Sequence, residues 1–535
     1  MKWLGKIKTF FASNKKEKTY DFDNLDLEDI EKEINNIKLG SHLEDNINII
    51  TKFYGQSHDL KVKKFRISSH NKKCAFIFLS KMANSESINE MIKNLKIDFP
   101  KVNHYLDKTE KQLPPRNLLQ SKEIKQTENL KEIFTHLSRG VSVFLEDGFS
   151  RAVLCETKKF EIREIKEPDT EIALRGPREG FVEDLPTNYS LLRRRIRIPQ
   201  LWLEKMEIGR LSQTEVTVAY IKHLASDELV EEVKKRLKNI DTDIILESGY
   251  IEEFIKDNPY TIFPLIERTE RPDKAVSCLV EGKVLVMTNN TPFVLIMPTS
   301  YNMSLQSPDD YSESFIISSF IRLLRHLSFL ISLFLPAFYV AIINFHPELI
   351  PVSLLLRISA TREGIPFPLV VESLLMESIF EILREAGLRM PRAIGSAISI
   401  VGALVLGEAA INAGLVSPPM VIVVALTAIA SFTTPTYSLA SAARIMRYIF
   451  IMAAAIAGLL GLQVGLLILL IHLCSLRSFG QPYFQPYGPL IWRDLKDSII
   501  KLPIWMNIFR PRLIGGKDPQ RKDEEQKPES PPEEE

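Results

Sequence analysis

The sequence predicts an α+β multi-domain protein: two tandem cytoplasmic α/β subdomains followed by an α-helical polytopic membrane domain. Three observations predict it. Residues 1 to about 320 are charged and mixed, with short apolar runs set among amphipathic ones. Residues 323–476 are dominated by apolar runs. The tail after Gly515 is charged and Pro-rich. Whole-chain averages, a net charge of +1 and 45% hydrophobic residues, hide this split.

The expected organisation runs in order. Residues 1–45 form a flexible leader, opening with the basic, aromatic MKWLGKIKTFFASNKKEK, whose apolar core is too short for a secretory signal. A solvated tail suits this stretch better than an anionic membrane surface. The first α/β subdomain spans 46–185. In it CAFIFL (74–79) is a buried strand, and SINEMIKNL (87–95) a helix with Ser87 as cap and Glu90 three residues on. VSVFLEDG (141–148) followed by RAVLCET is a hairpin signal. The second subdomain spans 186–305. TEVTVAYI (214–221) alternates as a strand, DELVEEVKKRLKNI (227–240) is an amphipathic helix with Asp227 as its cap, and DTDIILESGYIEEFI adds a strand and a short helix. KVLVMT and FVLIMP flank NNTP as paired strands.

The membrane domain spans 306–480, with crossings at about 323–343, 393–413, 420–439 and 448–476. Pro336 should kink the first and Pro435 should break the third. The stretch 366–387 is amphipathic or re-entrant. The basic, membrane-proximal segment 481–514 and a disordered acidic tail, 515–535, complete the chain. The lack of an export signal and the basic stretch Arg477–Arg512 put both ends in the cytoplasm, which requires an even number of crossings. There are five hydrophobic elements, so one should not cross fully, and 366–387 is the choice; four simple spans, however, leave Arg444 and Arg447 outside.

Several function classes are disfavoured. The near-neutral charge argues against nucleic acid as the main partner. The four cysteines are scattered with no CxxC pair, and the nine histidines show no HExxH spacing. No phosphate loop and no spacing of nucleophile and base is found, so no enzyme, cofactor, metal or catalytic residue is expected.

Carboxylates inside apolar segments are the informative residues, because one at mid-bilayer costs about 2.5–3.5 kcal/mol on insertion scales. In GALVLGEAAINAG (402–414), Glu408 and Asn412 lie one turn apart, opposite a side crowded with small residues. Glu408 is either a pore-lining or gating carboxylate or a hydrogen-bonded one that packs helices. In 366–387, Glu377, Glu381, Arg384 and Glu385 share one face, a cation path or a solvated face, while Glu372 projects among apolar residues in the first turns. LRGPREG (174–180) and LLRRRIR (191–197) are basic. Arg193, Arg194, Arg195 and Arg197 form a candidate coupling or partner surface, with a structural ion-pair network as the alternative.

The stretches TEIALRGPREGFVEDLPTN, LLRRRIR, LESGYIEEFIKDNP, ERPDKAVSCLVEGKV, NNTPFVLIMP, ELIPVSLLLRISATREGIPFPLVVESLLMESIFEILREAG and HLCSLRSFG carry a resemblance. The chain resembles the A subunits of the spore germinant receptors, the GerA family, over nearly its full length. The resemblance implies the spore inner membrane, a permease-like B subunit that carries the nutrient site, and a lipoprotein C subunit. It implies self-association, as a pentamer, into a nutrient-gated channel for monovalent cations, with membrane lipids around it. Glu408, Asn412 and the helix 366–387 match family positions in or near the proposed pore. The alternatives are a non-conducting scaffold or signal-transducing subunit, an amplifying paralogue with another partner, and a transporter.

Overall fold

The computed structural model describes residues 38–55, 57–67, 72–97, 124–158, 167–168, 171, 175–389, 407–514 and 518–521. The leader up to residue 37, residues 390–406 of the expected second span and the tail from 522 lie outside the described residues. The described chain is α+β, with sheets in the first half and a helical region in the second.

Helix Leu43–Phe53 (α1) leads into strands Leu60–Ile67 (β1) and Lys72–Leu79 (β2), helix Ser85–Ile97 (α2), strand Ile124–Thr127 (β3), helix Leu130–Leu137 (α3) and strands Ser142–Glu146 (β4) and Ala152–Cys155 (β5). All pairings are antiparallel, in the order β1-β2-β4-β5-β3. β2 is central because CAFIFL is apolar on both faces. Its alternate residues Ala75 and Ile77 pack against α1 and α3, whereas Phe76 and Phe78 meet Ile88, Met91 and Leu95 of α2. The hairpin expected after VSVFLEDG forms as β4–β5. Ser87 does not cap α2: the helix starts two residues earlier, and the Asn84 side chain accepts from Glu86 N at 3.0 Å.

The second sheet follows helix Leu185–Arg195 (α4). It contains strands Leu201–Ile208 (β6), Thr214–Ile221 (β7), Glu267–Thr269 (β8), Val284–Thr288 (β9) and Val294–Met297 (β10). Helices Asp227–Lys238 (α5) and Ser248–Ile255 (α6) pack on one face, and α4 with Pro272–Val280 (α7) on the other. The order β6-β7-β9-β10-β8 repeats the permutation of the first sheet. Each sheet is also preceded by a helix and sandwiched between helices. Two local expectations fail. Ser226 caps α5 through Leu229 N, so Asp227 is already helical. No strand forms at 241–247, where Ile245 O instead accepts from Thr214 Oγ1 at 2.7 Å.

A short helix Tyr301–Ser304 (α8) connects to the helical region: Phe315–Phe345 (α9), Val352–Arg362 (α10), Leu369–Arg389 (α11), a helical segment at 407–412, Pro418–Ser431 (α12) and Tyr437–Ser475 (α13). Two of these, α9 and α13, are long and apolar enough to cross a membrane by length and composition. Pro336 lies inside α9 without ending it. Strands Arg477–Ser478 (β11) and Gln481–Pro482 (β12) make a small hairpin after α13.

α13 is not the single tilted span expected over 448–476. Ala457 and Gly458 leave helical geometry, Gly458 at φ +57°, ψ −134°, and the chain folds back on itself. Both ends of α13 therefore reach the second sheet unit: Thr436 Oγ1 donates to Glu267 of β8 at 3.0 Å, and His472 Nε2 lies 3.1 Å from Thr261 Oγ1 in the loop before β8. The bend sits against Phe345 and His346 at the far end of α9. The two arms meet closely because Gly461 and Gly465 face Ala453 and Phe450; a Cβ at Gly461 would lie 2.0 Å from the Ala453 carbonyl oxygen. Gly461→Leu is therefore expected to separate the arms and cost at least the ~1–3 kcal/mol of an overpacked core. Thermal unfolding of the detergent-solubilised chain measures this. Leu467→Ala, on an outward face, should leave the midpoint unchanged.

Candidate functional site

Among the described residues, the helical region buries a ladder of ion pairs. On α11, Glu377 and Glu381 are one turn apart and face α13, where Arg447 and Arg444 are three apart. Arg447 Nη1 lies 2.5 Å from Glu377 Oε2, with both side chains 1% exposed. Arg444 Nη1 lies 3.0 Å from Glu381 Oε2, and Arg384 Nη1 is 3.8 Å from Oε1 of the same carboxylate. Arg447 Nε also donates to Ser332 O of α9 at 2.7 Å. That carbonyl is free for a reason: its helical donor would be the N–H of residue 336, which is proline. Pro336 thus opens an acceptor that Arg447 fills.

Glu372 is fully buried at the start of α11. Its Oε1 accepts from Ser417 N at 2.6 Å and from the Ser417 hydroxyl, and Arg362 Nε is 4.0 Å from Oε2. It therefore serves the N-terminus of α12 as well as its own, where helix dipoles favour a carboxylate.

The base of the helical region is also charged. Asp310 is buried between Arg322 (3.0 Å) and Arg325 (3.0 Å) of α9, and Arg322 continues to Asp497 at 2.7 Å in the C-terminal segment. Burial alone would raise the Asp310 carboxyl, but the hydrogen bond and charge of Arg325, with Arg322, hold it below its ordinary value. In the second sheet, Glu267 of β8 binds Lys274 at 2.8 Å and Thr436 at 3.0 Å, and Arg268 reaches Ser438 at 3.0 Å. Burial opposes the charge on Lys274, but Glu267 and Glu171 hold its pKa above the ordinary value.

The expected site residues divide sharply. Glu377 and Glu381 do not form a solvated face: Glu377 is fully buried and both are answered by arginines within the chain. Glu408 and Asn412 sit four apart on the helical segment 407–412, both exposed, while Ala410 and Ile411 pack on the helical core. The small residues expected opposite them before 407 lie outside the described residues. Arg193 is not a partner surface. It is 1% exposed, paired with Asp59 at 2.8 Å and bonded to Ser57 Oγ at 3.0 Å, and so ties the second sheet unit to the first. Arg194 and Arg195 clamp Glu179 of LRGPREG at 3.1 and 2.6 Å, joining the two basic segments to each other. Only Arg197 of this group is exposed, its Nε donating to Arg194 O. The partners missing from the expectation are Arg444, Arg447, Ser332 and Ser417. The signal for the first two was a pair of arginines three apart within an otherwise apolar helix.

No group of His, Cys, Asp and Glu among the described residues could hold a metal ion. Fold and site define a helical body with buried ion pairs beneath a two-sheet head. The family model described as Bacillus/Clostridium GerA spore germination protein matches residues 48–513, and the chain belongs to that family. It is 43% identical to "Spore germination protein KA" of Bacillus subtilis (strain 168), over 92% of this chain and 90% of that protein. It is 40% identical to "Spore germination protein A1" of the same organism, over 86% of this chain and 94% of the relative. "Uncharacterized membrane protein YfkQ", also from that organism, is 39% identical over 88% and 91%. The crystal structure of the N-terminal domain of the A subunit of the Bacillus megaterium spore germinant receptor GerK3 matches at 32% identity. It covers 50% of this chain and 98% of that one, with a TM-score of 0.40.

Glu377→Ala leaves Arg447 charged and buried and should destabilise the solubilised chain by about 3–5 kcal/mol. Glu385→Ala, on an exposed residue of the same helix, should fall within ~0.5 kcal/mol of wild type in the same unfolding assay. The depressed Asp310 carboxyl contributes stability above the unfolded carboxylate range, about 3.9, and loses it as pH falls through the lower folded value. Asp310→Asn should therefore flatten the acid limb of a midpoint-against-pH curve.

Proposed function

We propose that this chain is the A-type subunit of a nutrient germinant receptor, a multi-pass protein of the spore inner membrane with its sheet half on the spore-core side. Copies of it associate, as a pentamer, around a path for monovalent cations. The path opens when a permease-like B subunit binds nutrient, with a lipoprotein C subunit as further partner. Ion release through the path then triggers germination. The membrane reading is supported by the outward residues of α9 and α13, such as Leu323, Leu327, Ile456, Leu467 and Ile471, which are large, apolar and exposed. With the two arms of α13 counted as two passes, the five apolar elements of the sequence give an even number, which favours both ends on one side. Non-crossing of 366–387 is then no longer required.

The observation that carries the channel reading is the contrast among carboxylates. Glu372, Glu377 and Glu381 are neutralised within the chain, whereas Glu408 and Asn412 are exposed and, among the described residues, Glu408 has no partner. A carboxylate on the outside of a membrane helix needs water or a neighbouring subunit, and a ring of copies supplies both. The in-chain pairing of α11 favours a second reading, a non-conducting subunit that passes the signal on through rigid helices.

Spores carrying Glu408→Gln discriminate the two. The channel reading predicts slowed or abolished nutrient-triggered potassium release, with normal subunit level and co-purification of partners. Unchanged release would remove Glu408 from the path and favour the second reading.

A further inference from the structure

A cavity of about 720 Å³ lies where the second sheet meets α9, α11, α12 and α13. Its inner wall is cationic. Arg384 and Arg444 share one carboxylate, Glu381, so two guanidinium groups are answered by a single acid. The acids that line the wall are already used: Glu171 by Lys274 (2.8 Å), Asp309 by Arg271 (3.2 Å), Asp310 by Arg325 (3.0 Å) and Glu313 by Arg175 (3.1 Å). The excess positive charge is therefore local to Arg384 and Arg444. Arg384 is also pre-ordered. Its guanidinium sits 5.1 Å from the Phe380 ring centre and 4.9 Å from that of Phe432, and its Nη2 donates to Ser431 Oγ at 2.7 Å. Its side chain is 10% exposed, yet its Nε has no acceptor; the Nε of Arg444 and the hydroxyl of Thr434 on the same wall also have none. Glu381 Oε1 is likewise unpartnered, so what favours an anion here is the charge count, two guanidinium groups to one carboxylate beside an open cavity.

The outer wall is apolar. Ile317, Ile321, Leu388 and Phe432 line the cavity and are exposed, and they belong to the helices read above as membrane-embedded. An anion-binding inner wall with an apolar lip facing hydrocarbon is the chemistry of one occupant. We propose that the cavity holds an anionic phospholipid of the leaflet on the sheet side, its phosphate on Arg384 and Arg444 and its acyl chains along Ile317, Ile321 and Leu388. The lipid would brace the ends of α11 and α12 against the start of α13. This proposal rests on the membrane reading of the helical region.

The test uses the full chain, extracted in detergent, with thermal unfolding read while phosphatidylglycerol, phosphatidylcholine or inorganic phosphate is added. Phosphatidylglycerol should raise the midpoint, phosphatidylcholine far less, and phosphate not at all. Arg384→Gln should weaken the phosphatidylglycerol response about tenfold in concentration, the scale of one lost charge-assisted contact. Ile321→Glu, a surface change at the lip, should weaken the same response while leaving the lipid-free midpoint near wild type. Ser431→Ala, which removes only a protein partner of Arg384, should keep the response. Equal responses to the two lipids, a full response to phosphate alone, or an unchanged response in both Arg384→Gln and Ile321→Glu would overturn the site. A chain that stays in solution after membranes are removed without detergent would instead contradict the membrane reading, and the lipid site with it.

Discussion

The helical body depends on where one arginine puts its charge. Arg447 lies within an apolar helix, where an unpaired guanidinium is costly. Two groups answer it: Glu377 of α11, and the Ser332 carbonyl that Pro336 leaves without a helical donor. α9, α11 and α13 are thereby fixed to one another in register. Replacing such a buried pair with well-packed apolar residues is often neutral or stabilising, whereas removing one member is not. The pair is thus better understood as setting which faces meet than as a large source of stability. Two consequences are local: the acidic face of α11 must turn inward, and α13 must present Arg444 to Glu381 at the same time.

The same helix connects to the sheets. β8 holds the start of α13 through Glu267 with Thr436 and Arg268 with Ser438, and the returning arm ends beside Thr261. α9 is held at its base by Asp310 and, through Arg322, by Asp497 of the C-terminal segment. A displacement of β8 is therefore mechanically joined to α13, and through the Arg–Glu pairs to α11. Arg193 with Asp59 extends this connection back to the first sheet. The repeated strand order means that both sheet units offer the same scaffold, of which only the second touches the helices through these contacts.

Much of the sheet region was legible because its signals are local. CAFIFL, VSVFLEDG with RAVLCET, TEVTVAYI and the strands around NNTP all show apolar patterning bounded by turn residues, and each forms a strand. Capping was less legible: Asn84 and Ser226 stand just before the expected caps Ser87 and Asp227, and Asn, Ser and Asp all cap well. The fold-back in α13 was hidden because no polar residue marks it. A hydropathy reading sees one apolar run across Ala457–Gly458, and only the series Gly458, Gly461, Gly465 hinted at a close helix pair. The ion pairs were hidden for a different reason. Glu377 and Arg447 are 70 residues apart, and Glu381 and Arg444 are 63 apart, so neither charge could be assigned a partner by spacing. Without a partner, a row of glutamates reads as a wet face, and two arginines read as a loop outside the membrane. Arg193 was misplaced the same way, its acceptor Asp59 lying 134 residues earlier.

A double-mutant cycle on Glu377→Ala and Arg447→Ala tests the central pair most directly, with unfolding of the detergent-solubilised chain as the readout. If the two charges answer each other in the core, the double variant is less destabilised than the sum of the singles, with a coupling of about 1–3 kcal/mol. Additivity within about 0.5 kcal/mol would contradict the account, because it would mean that each charge meets its own surroundings and not the other.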